Sequence, residues 1–196
     1  MTAAFLRIAR YPGGSAALAV ATFALYWAVF DWRIALVTVL ATYLHELGHA
    51  LAARHVGVPV GGIIIHPFGA TTLTAHIADQ WHAVYVTAMG PSFSLLNAGL
   101  FWTVYQGTGA LFWVAAALAV ILVNLLNLLP LPARIGTDGA RLVDMVFHDG
   151  SWRWSVPIES GKLLLARCWY IGLIVIHIAA VHGLALLIAG EIGGAP

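Results

Sequence analysis

Residues 40–55 read LATYLHELGHALAARH. They belong to an apolar stretch, 34–54, that is long enough to cross a bilayer, yet His45, Glu46 and His49 fall within five positions of it. Ionisable side chains at membrane depth are costly and by default mark function. On an α-helix, residues four apart lie about 40° apart in azimuth and about 6 Å apart along the axis. His45 and His49 can therefore offer two imidazoles to one metal ion, and Glu46 can reach a water on that ion and take its proton. H-E-x-x-H on a helix is thus a pattern for metal-assisted hydrolysis. Gly48 adds no side chain beside the pair, and the expectation is that this leaves space for a substrate backbone.

Two imidazoles need a third protein ligand. His55 stands where H-E-x-x-H-x-x-G-x-x-H would place one, but that pattern needs a glycine at position 52 to turn the chain, and this chain has Ala52, a strong helix former. On a continuing helix His55 lies about 240° round from His49 and faces away. It reads instead as a polar residue at the helix end, just before VGVP.

Composition puts the motif in lipid. Of 196 residues, 61% are hydrophobic and 9% charged, whereas a soluble domain has about a quarter of its residues charged. The net charge of +1 gives no patch able to track phosphates, which argues against nucleic acid as a partner. The single cysteine, Cys168, allows no intrachain disulfide and reads as a small apolar residue at a helix start. Five stretches suit spans of about 20 apolar residues: 14–30, 34–54, 81–104, 110–129 and 163–189. The first follows Arg7 and Arg10 as a signal peptide would, but it ends in YWAVFDWR, bulky where a cleavage site is small, so it reads as a retained helix. The expectation is an all-α polytopic membrane protein, 1–196 forming one integral-membrane domain with no appended soluble domain. With the N-terminus inside, eight of the nine Lys and Arg residues face the cytoplasm and only Arg33 lies outside. The H-E-L-G-H motif then sits near the cytoplasmic end of the second span.

The fourth span ends NLLNLLPLPARIGTDGARL. Its prolines and glycines stop the helix near Leu129 and begin an irregular loop on the same side as the histidines. Asp138, followed by Gly139, is the carboxylate best placed to complete the site. Asp144, Asp149 and Glu159 are alternatives, further into what reads as a solvated loop. Other polar residues have plainer readings. His177 and His182 suit interhelical packing or cavity lining. His66, His76 and His82 border the segment 63–74 as interfacial residues, Asn124 suits an interhelical hydrogen bond, and the tryptophans suit an aromatic belt.

Taken together, the motifs resemble the site-2 protease family of intramembrane zinc metalloproteases, over residues from about 35 to 145. That family pairs H-E-x-x-H in one transmembrane helix with N-x-x-P-x-x-x-x-D-G near the end of another. Here the counterparts are His45-Glu46-Leu47-Gly48-His49, and Asn127-Leu128-Leu129-Pro130 with Asp138-Gly139. IIIHPFGATTL (63–73) resembles the family's membrane-associated β-hairpin, with Pro67-Phe68-Gly69-Ala70 where P-F-G-G is usual. AMGPSFSLLNA (88–98) resembles the Gly-Pro entry of the following helix. There are two departures: Asn127 and Asp138 are eleven positions apart rather than eight, and Ser94 stands where the family has asparagine.

The resemblance implies about five transmembrane helices with a short hairpin after the second, and one Zn²⁺ per chain held by His45, His49 and Asp138. It implies Glu46 as catalytic base, and Asn127, Pro130, Phe68 and Gly69 as substrate-binding or oxyanion residues. The substrate it implies is a transmembrane protein in the lipid bilayer, in a bacterial or archaeal cell membrane, and the enzyme could form a homo-oligomer. The hairpin is expected either to offer a strand edge to an unwound substrate or to plug the bundle, and water to enter by a polar cavity near 131–162. Two other classes compete. A catalytically inactive relative that binds transmembrane helices has no need of Glu46. A metal transporter would string histidines or carboxylates along several spans.

Overall fold

The computed structural model describes residues 14–67, 69–131, 136–148 and 154–193, with side chains to 190. In chain order they form α1 (Gly14–Val29), α2 (Trp32–His55), β1 (Val60–His66), β2 (Gly69–Thr74), α3 (Gln80–Thr108), α4 (Leu111–Leu128), α5 (Asp138–Phe147) and α6 (Ser160–Gly193). This is the helical membrane architecture expected, with its hairpin after the second helix. Among the described residues three helices are long and apolar enough to span a membrane: Trp32–His55, Leu111–Leu128 and Ser160–Gly190. α1 is apolar but shorter. α3 has the length, at 29 residues, but Gln80, Ser94 and Asn97 dilute its apolar character. All three are buried inside the protein rather than turned to lipid.

Local chemistry sets the ends of these helices. Asp31 caps α2 by accepting from the Arg33 N–H at 2.8 Å, and Gly57, at φ +77°, turns the chain after His55. Ala52 is buried within the unbroken helix and His55 is exposed, as the helical spacing requires. α3 starts at Asp79, which accepts from His82 N–H at 2.8 Å, and ends at Gly109 in the left-handed conformation. Gly90 and Pro91 lie in the middle of α3 and not at its entry, a correction to the reading of 88–98.

Two large apolar clusters divide the bundle, and a smaller third packs Ala52 and Ala53 of α2 against Val86 of α3. One gathers Val84 and Ala88 of α3, Leu128 at the end of α4, Leu142 and Val146 of α5, and Tyr170 and Leu173 of α6. The other gathers Ala41 of α2, Ala98 and Phe101 of α3, Val114 and Ile121 of α4, and Leu184 of α6. Between them, on each of these four long helices, lies a polar stretch: His45–His49, Gly90–Asn97, Asn124–Asn127 and His177. The helices bring these four stretches to one level, and two apolar layers enclose it.

Small residues permit the close approach that this layer needs. A Cβ on Gly48 would lie 2.6 Å from the Met89 carbonyl oxygen and 2.9 Å from Phe93 Cβ. Gly48 therefore lets α2 cross α3, which corrects the expectation that it clears space for a substrate.

Residues 138–147, read from sequence as solvated loop, form α5. Thr137 caps it by accepting from Ala140 N–H at 3.2 Å, and Leu142, Met145 and Val146 bury one face. Their spacing of three and four is the helical signal that outweighs the neighbouring glycines and charges. Gly139 fixes where α5 sits: a Cβ there would fall 1.9 Å from the Leu128 carbonyl oxygen. Two more bonds hold the end of α4, Tyr170 OH donating to Leu128 O at 2.9 Å and Thr137 Oγ1 to Leu129 O at 2.9 Å.

The hairpin is antiparallel, with Ile63 opposite Thr72 and His66 opposite Gly69, and an irregularity between Val60 and Gly62. It packs on α1 and α2. Tyr26 OH of α1 donates to Pro67 O at 3.0 Å, tying down its turn.

Candidate metal centre

His45 and His49 lie one turn apart on α2, with ring centroids 4.9 Å apart and planes nearly perpendicular. Each ring is oriented by its Nδ1. In His49, Nδ1 lies 2.7 Å from the Val86 carbonyl oxygen. A carbonyl only accepts, so Nδ1 carries a proton, and in the neutral ring Nε2 presents a lone pair. In His45, Nδ1 donates to Ser94 Oγ at 2.9 Å, and that hydroxyl points on to Gly90 O at 3.4 Å. Again Nε2 is left with a lone pair.

Both lone pairs converge on Asp138. Its Oδ2 lies 3.0 Å from His45 Nε2 and 3.3 Å from His49 Nε2. The two nitrogens are 3.2 Å apart. Three electron-rich atoms in mutual contact repel one another unless a proton or a metal cation lies among them. Ligands of a tetrahedral ion at about 2.0–2.2 Å are separated by roughly 3.3–3.6 Å, close to the spacings here. Two neutral imidazoles and a carboxylate with convergent lone pairs therefore fit a divalent metal, and the site is buried, Asp138 being 4% exposed. Glu46 adds a second carboxylate, with one ligand atom each from His45, Glu46 and His49 within 4.8 Å of one another.

Asp138 is carried to the histidines by the start of α5, where the helix dipole favours a carboxylate. Asn127 of α4 fixes its orientation: Nδ2 donates to Asp138 Oδ2 at 2.7 Å, and Oδ1 accepts from the Asp138 backbone N–H at 3.3 Å. Both ends of the Asn127 amide are thus engaged with Asp138, and its Nδ2 also lies 3.4 Å from His45 Nε2. The wider spacing between Asn127 and Asp138 is accommodated in the loop between them, which includes Gly136 at φ +72°.

Not every sequence-derived candidate comes to this point. Pro130 follows α4 and is exposed. Gly69, at φ +130°, opens β2 in the hairpin turn. Phe68 and Asp149 lie outside the described residues, as do 132–135 and 149–153 of the segment expected to admit water. Asp144 is exposed and 3.9 Å from His148 Nδ1, and Glu159 pairs with Lys162 at 3.5 Å, both away from the centre. His66 is buried within the protein. Burial holds its imidazole below the usual histidine range, and the charge of Glu46 pulls the other way.

Three contributors escaped the sequence reading. Gly90 is required by the rings themselves, since a Cβ there would sit 2.2 Å from His49 Nε2 and 2.8 Å from His45 Nε2. Its sequence signal is the Gly-Pro pair, which the structure places in mid-helix. Ser94, which departs from the family pattern, supplies the partner of His45. Val86 acts through its backbone, for which no side-chain pattern exists.

A comparison with curated proteins gave no match. The Peptidase M50B-like family model matches residues 16–152, about seven-tenths of the chain, including α2, the hairpin, Asn127 and Asp138. Apolar helices and family together describe an integral membrane protein with a metallopeptidase-like site. With two motifs in order and their ligand atoms in contact, the chain belongs to the Peptidase M50B-like family, in agreement with its resemblance to site-2 proteases.

Proposed function

We propose that this protein is an intramembrane zinc endopeptidase that hydrolyses a peptide bond in or near a transmembrane segment of another membrane protein. The observation that carries the reading is the convergence of His45 Nε2, His49 Nε2 and Asp138 Oδ2 within 3.0–3.3 Å, beside Glu46, at one level of an apolar bundle. His45, His49 and Asp138 would hold zinc. Bound there, zinc supplies a Lewis acid that activates water and polarises a carbonyl at neutral pH.

The remaining chemistry belongs to this chain's side chains. Glu46 accepts the proton of the attacking water on its carboxylate and returns it to the leaving amine nitrogen, so a single group serves as base and then as acid. Ser94 and the Val86 carbonyl keep the Nδ1 protons in place, so that both Nε2 atoms stay available as ligands. Asn127 prevents the Asp138 carboxylate from rotating away. The substrate must be unwound locally, because a transmembrane helix keeps its amides bonded and shielded. The basic-residue bias supports an orientation with the N-terminus and the centre toward the cytoplasm.

Purified wild type, Glu46→Gln and Asp138→Ala, assayed for bound zinc and for cleavage of a panel of single-span substrates, test the proposal. Glu46→Gln is expected to keep its zinc and to lose cleavage by about 10²–10⁴-fold, the usual worth of a positioned general base. Cleavage surviving that substitution would overturn the mechanism. A zinc-loaded wild type that binds the substrates and cuts none would be the inactive relative.

A further inference from the structure

The H-E-x-x-H helix carries the general base, but a hydrogen bond from another element holds that base. Thr72, on β2, places its Oγ1 2.7 Å from Glu46 Oε2 and 2.9 Å from the Glu46 backbone oxygen. Both neighbours are acceptors, so the hydroxyl proton must be donated to Glu46. A single hydroxyl therefore spans the carboxylate and the main chain of the same residue. The carboxylate is buried, so water does not compete freely for this bond, and a charged acceptor makes it stronger than a neutral one. Thr72 belongs to none of the sequence motifs that define the centre.

We infer that Thr72 is a positioning residue for Glu46, an inference that rests on the reading of Glu46 as general base. With Oε2 engaged by the threonine hydroxyl, the rotamer is set and Oε1 is the oxygen left to receive a proton from water. The hairpin itself is anchored independently, through Tyr26 to Pro67 O at its turn and through buried Ile64 and Ile65. The hydroxyl is therefore dispensable for folding the hairpin and needed for orienting the base. This separates the hairpin's part in catalysis from any part in binding substrate.

Thr72→Val keeps the shape and β-propensity and removes the donor; Thr72→Ser keeps the donor and removes a methyl group. For a residue supporting a catalytic group, Thr72→Val is expected to lower kcat by about 10- to 100-fold, with KM, bound zinc and the hydrogen-exchange protection of Val60–Thr74 unchanged. Thr72→Ser is expected to restore most of kcat. An unchanged kcat in Thr72→Val overturns the inference. So does a loss expressed in KM, a loss with faster exchange across the hairpin or with lost zinc, or a loss that serine does not rescue. Glu46→Gln measured alongside tells two failures apart. An enzyme indifferent to Thr72→Val but dependent on Glu46 overturns only this inference, and one indifferent to both overturns the proposed function as well.

Discussion

Two histidine–asparagine pairs occupy the same polar layer, and they differ in what happens to one lone pair. His45 of α2 lies beside Asn127 of α4, and His177 of α6 lies beside Asn124, one turn earlier on that helix. Both histidines have Nδ1 bonded, to Ser94 Oγ and to Leu173 O at 2.6 Å respectively. At His177, Nε2 accepts from Asn124 Nδ2, which also reaches Pro91 O at 3.3 Å. That ring is fully buried and both its nitrogens have hydrogen-bond partners. At His45, Asn127 commits its amide to Asp138 instead, and Nε2 faces His49 Nε2 and Asp138 Oδ2. A membrane histidine with both nitrogens satisfied holds helices together; one with a lone pair facing other lone pairs is arranged for a cation.

The difference is broken most forcefully at Asp138. Asp138→Ala removes the carboxylate oxygen that lies against both Nε2 atoms, and bound zinc is expected to fall from near one per chain to a small fraction after dialysis. Cleavage would fall with it. His177→Leu, measured in parallel by metal analysis, is expected to retain its zinc. Zinc lost equally from both variants would mean that the two pairs form one unit.

How far the sequence exposes this division depends on the range of the interaction. His45, Glu46 and His49 were legible because helical spacing alone brings them together. Asp138 was legible because a Pro- and Gly-rich break must return the chain to the same side, and Gly139 then has a reason that only the structure gives, its contact with Leu128 O. Gly90, Ser94 and Thr72 were not legible. Each acts on a residue more than twenty positions away, across a crossing whose depth and rotation no local pattern specifies. Gly48 was misread for the same reason: its missing side chain faces α3, a partner its own helix does not reveal. α5 was different, since the Leu142, Met145 and Val146 spacing was present and the adjacent loop signals obscured it.

Ser94 sharpens the comparison at intermediate size. Ser94→Ala leaves His45 Nδ1 without its partner, so the ring loses both its tautomer preference and its orientation. Loss of such an outer partner typically costs about 10- to 100-fold in metal affinity or activity, and a zinc-competition titration would read it. Ser94→Thr, which keeps the hydroxyl, is expected to stay nearer wild type. Affinity unchanged in Ser94→Ala would mean that Asp138 and His49 alone fix the ion.

The smallest effect belongs to the closed pair. The Asn124–His177 bond links α4 to α6 inside the membrane, where interhelical hydrogen bonds average only about 0.6 kcal/mol and reach about 1.7 kcal/mol in double-mutant cycles. His177→Leu and Asn124→Leu should each destabilise the protein in detergent unfolding, because each leaves a buried polar partner behind. The double variant removes both partners at once, so its cost should be less than the sum of the two by that same coupling. Zinc content should be unchanged throughout. Additive costs would mean that the two residues stabilise the bundle separately, through Asn124 to Pro91 and His177 to Leu173. The contrast with the metal centre would then rest on the convergence of His45 Nε2 and His49 Nε2 on Asp138 Oδ2 alone.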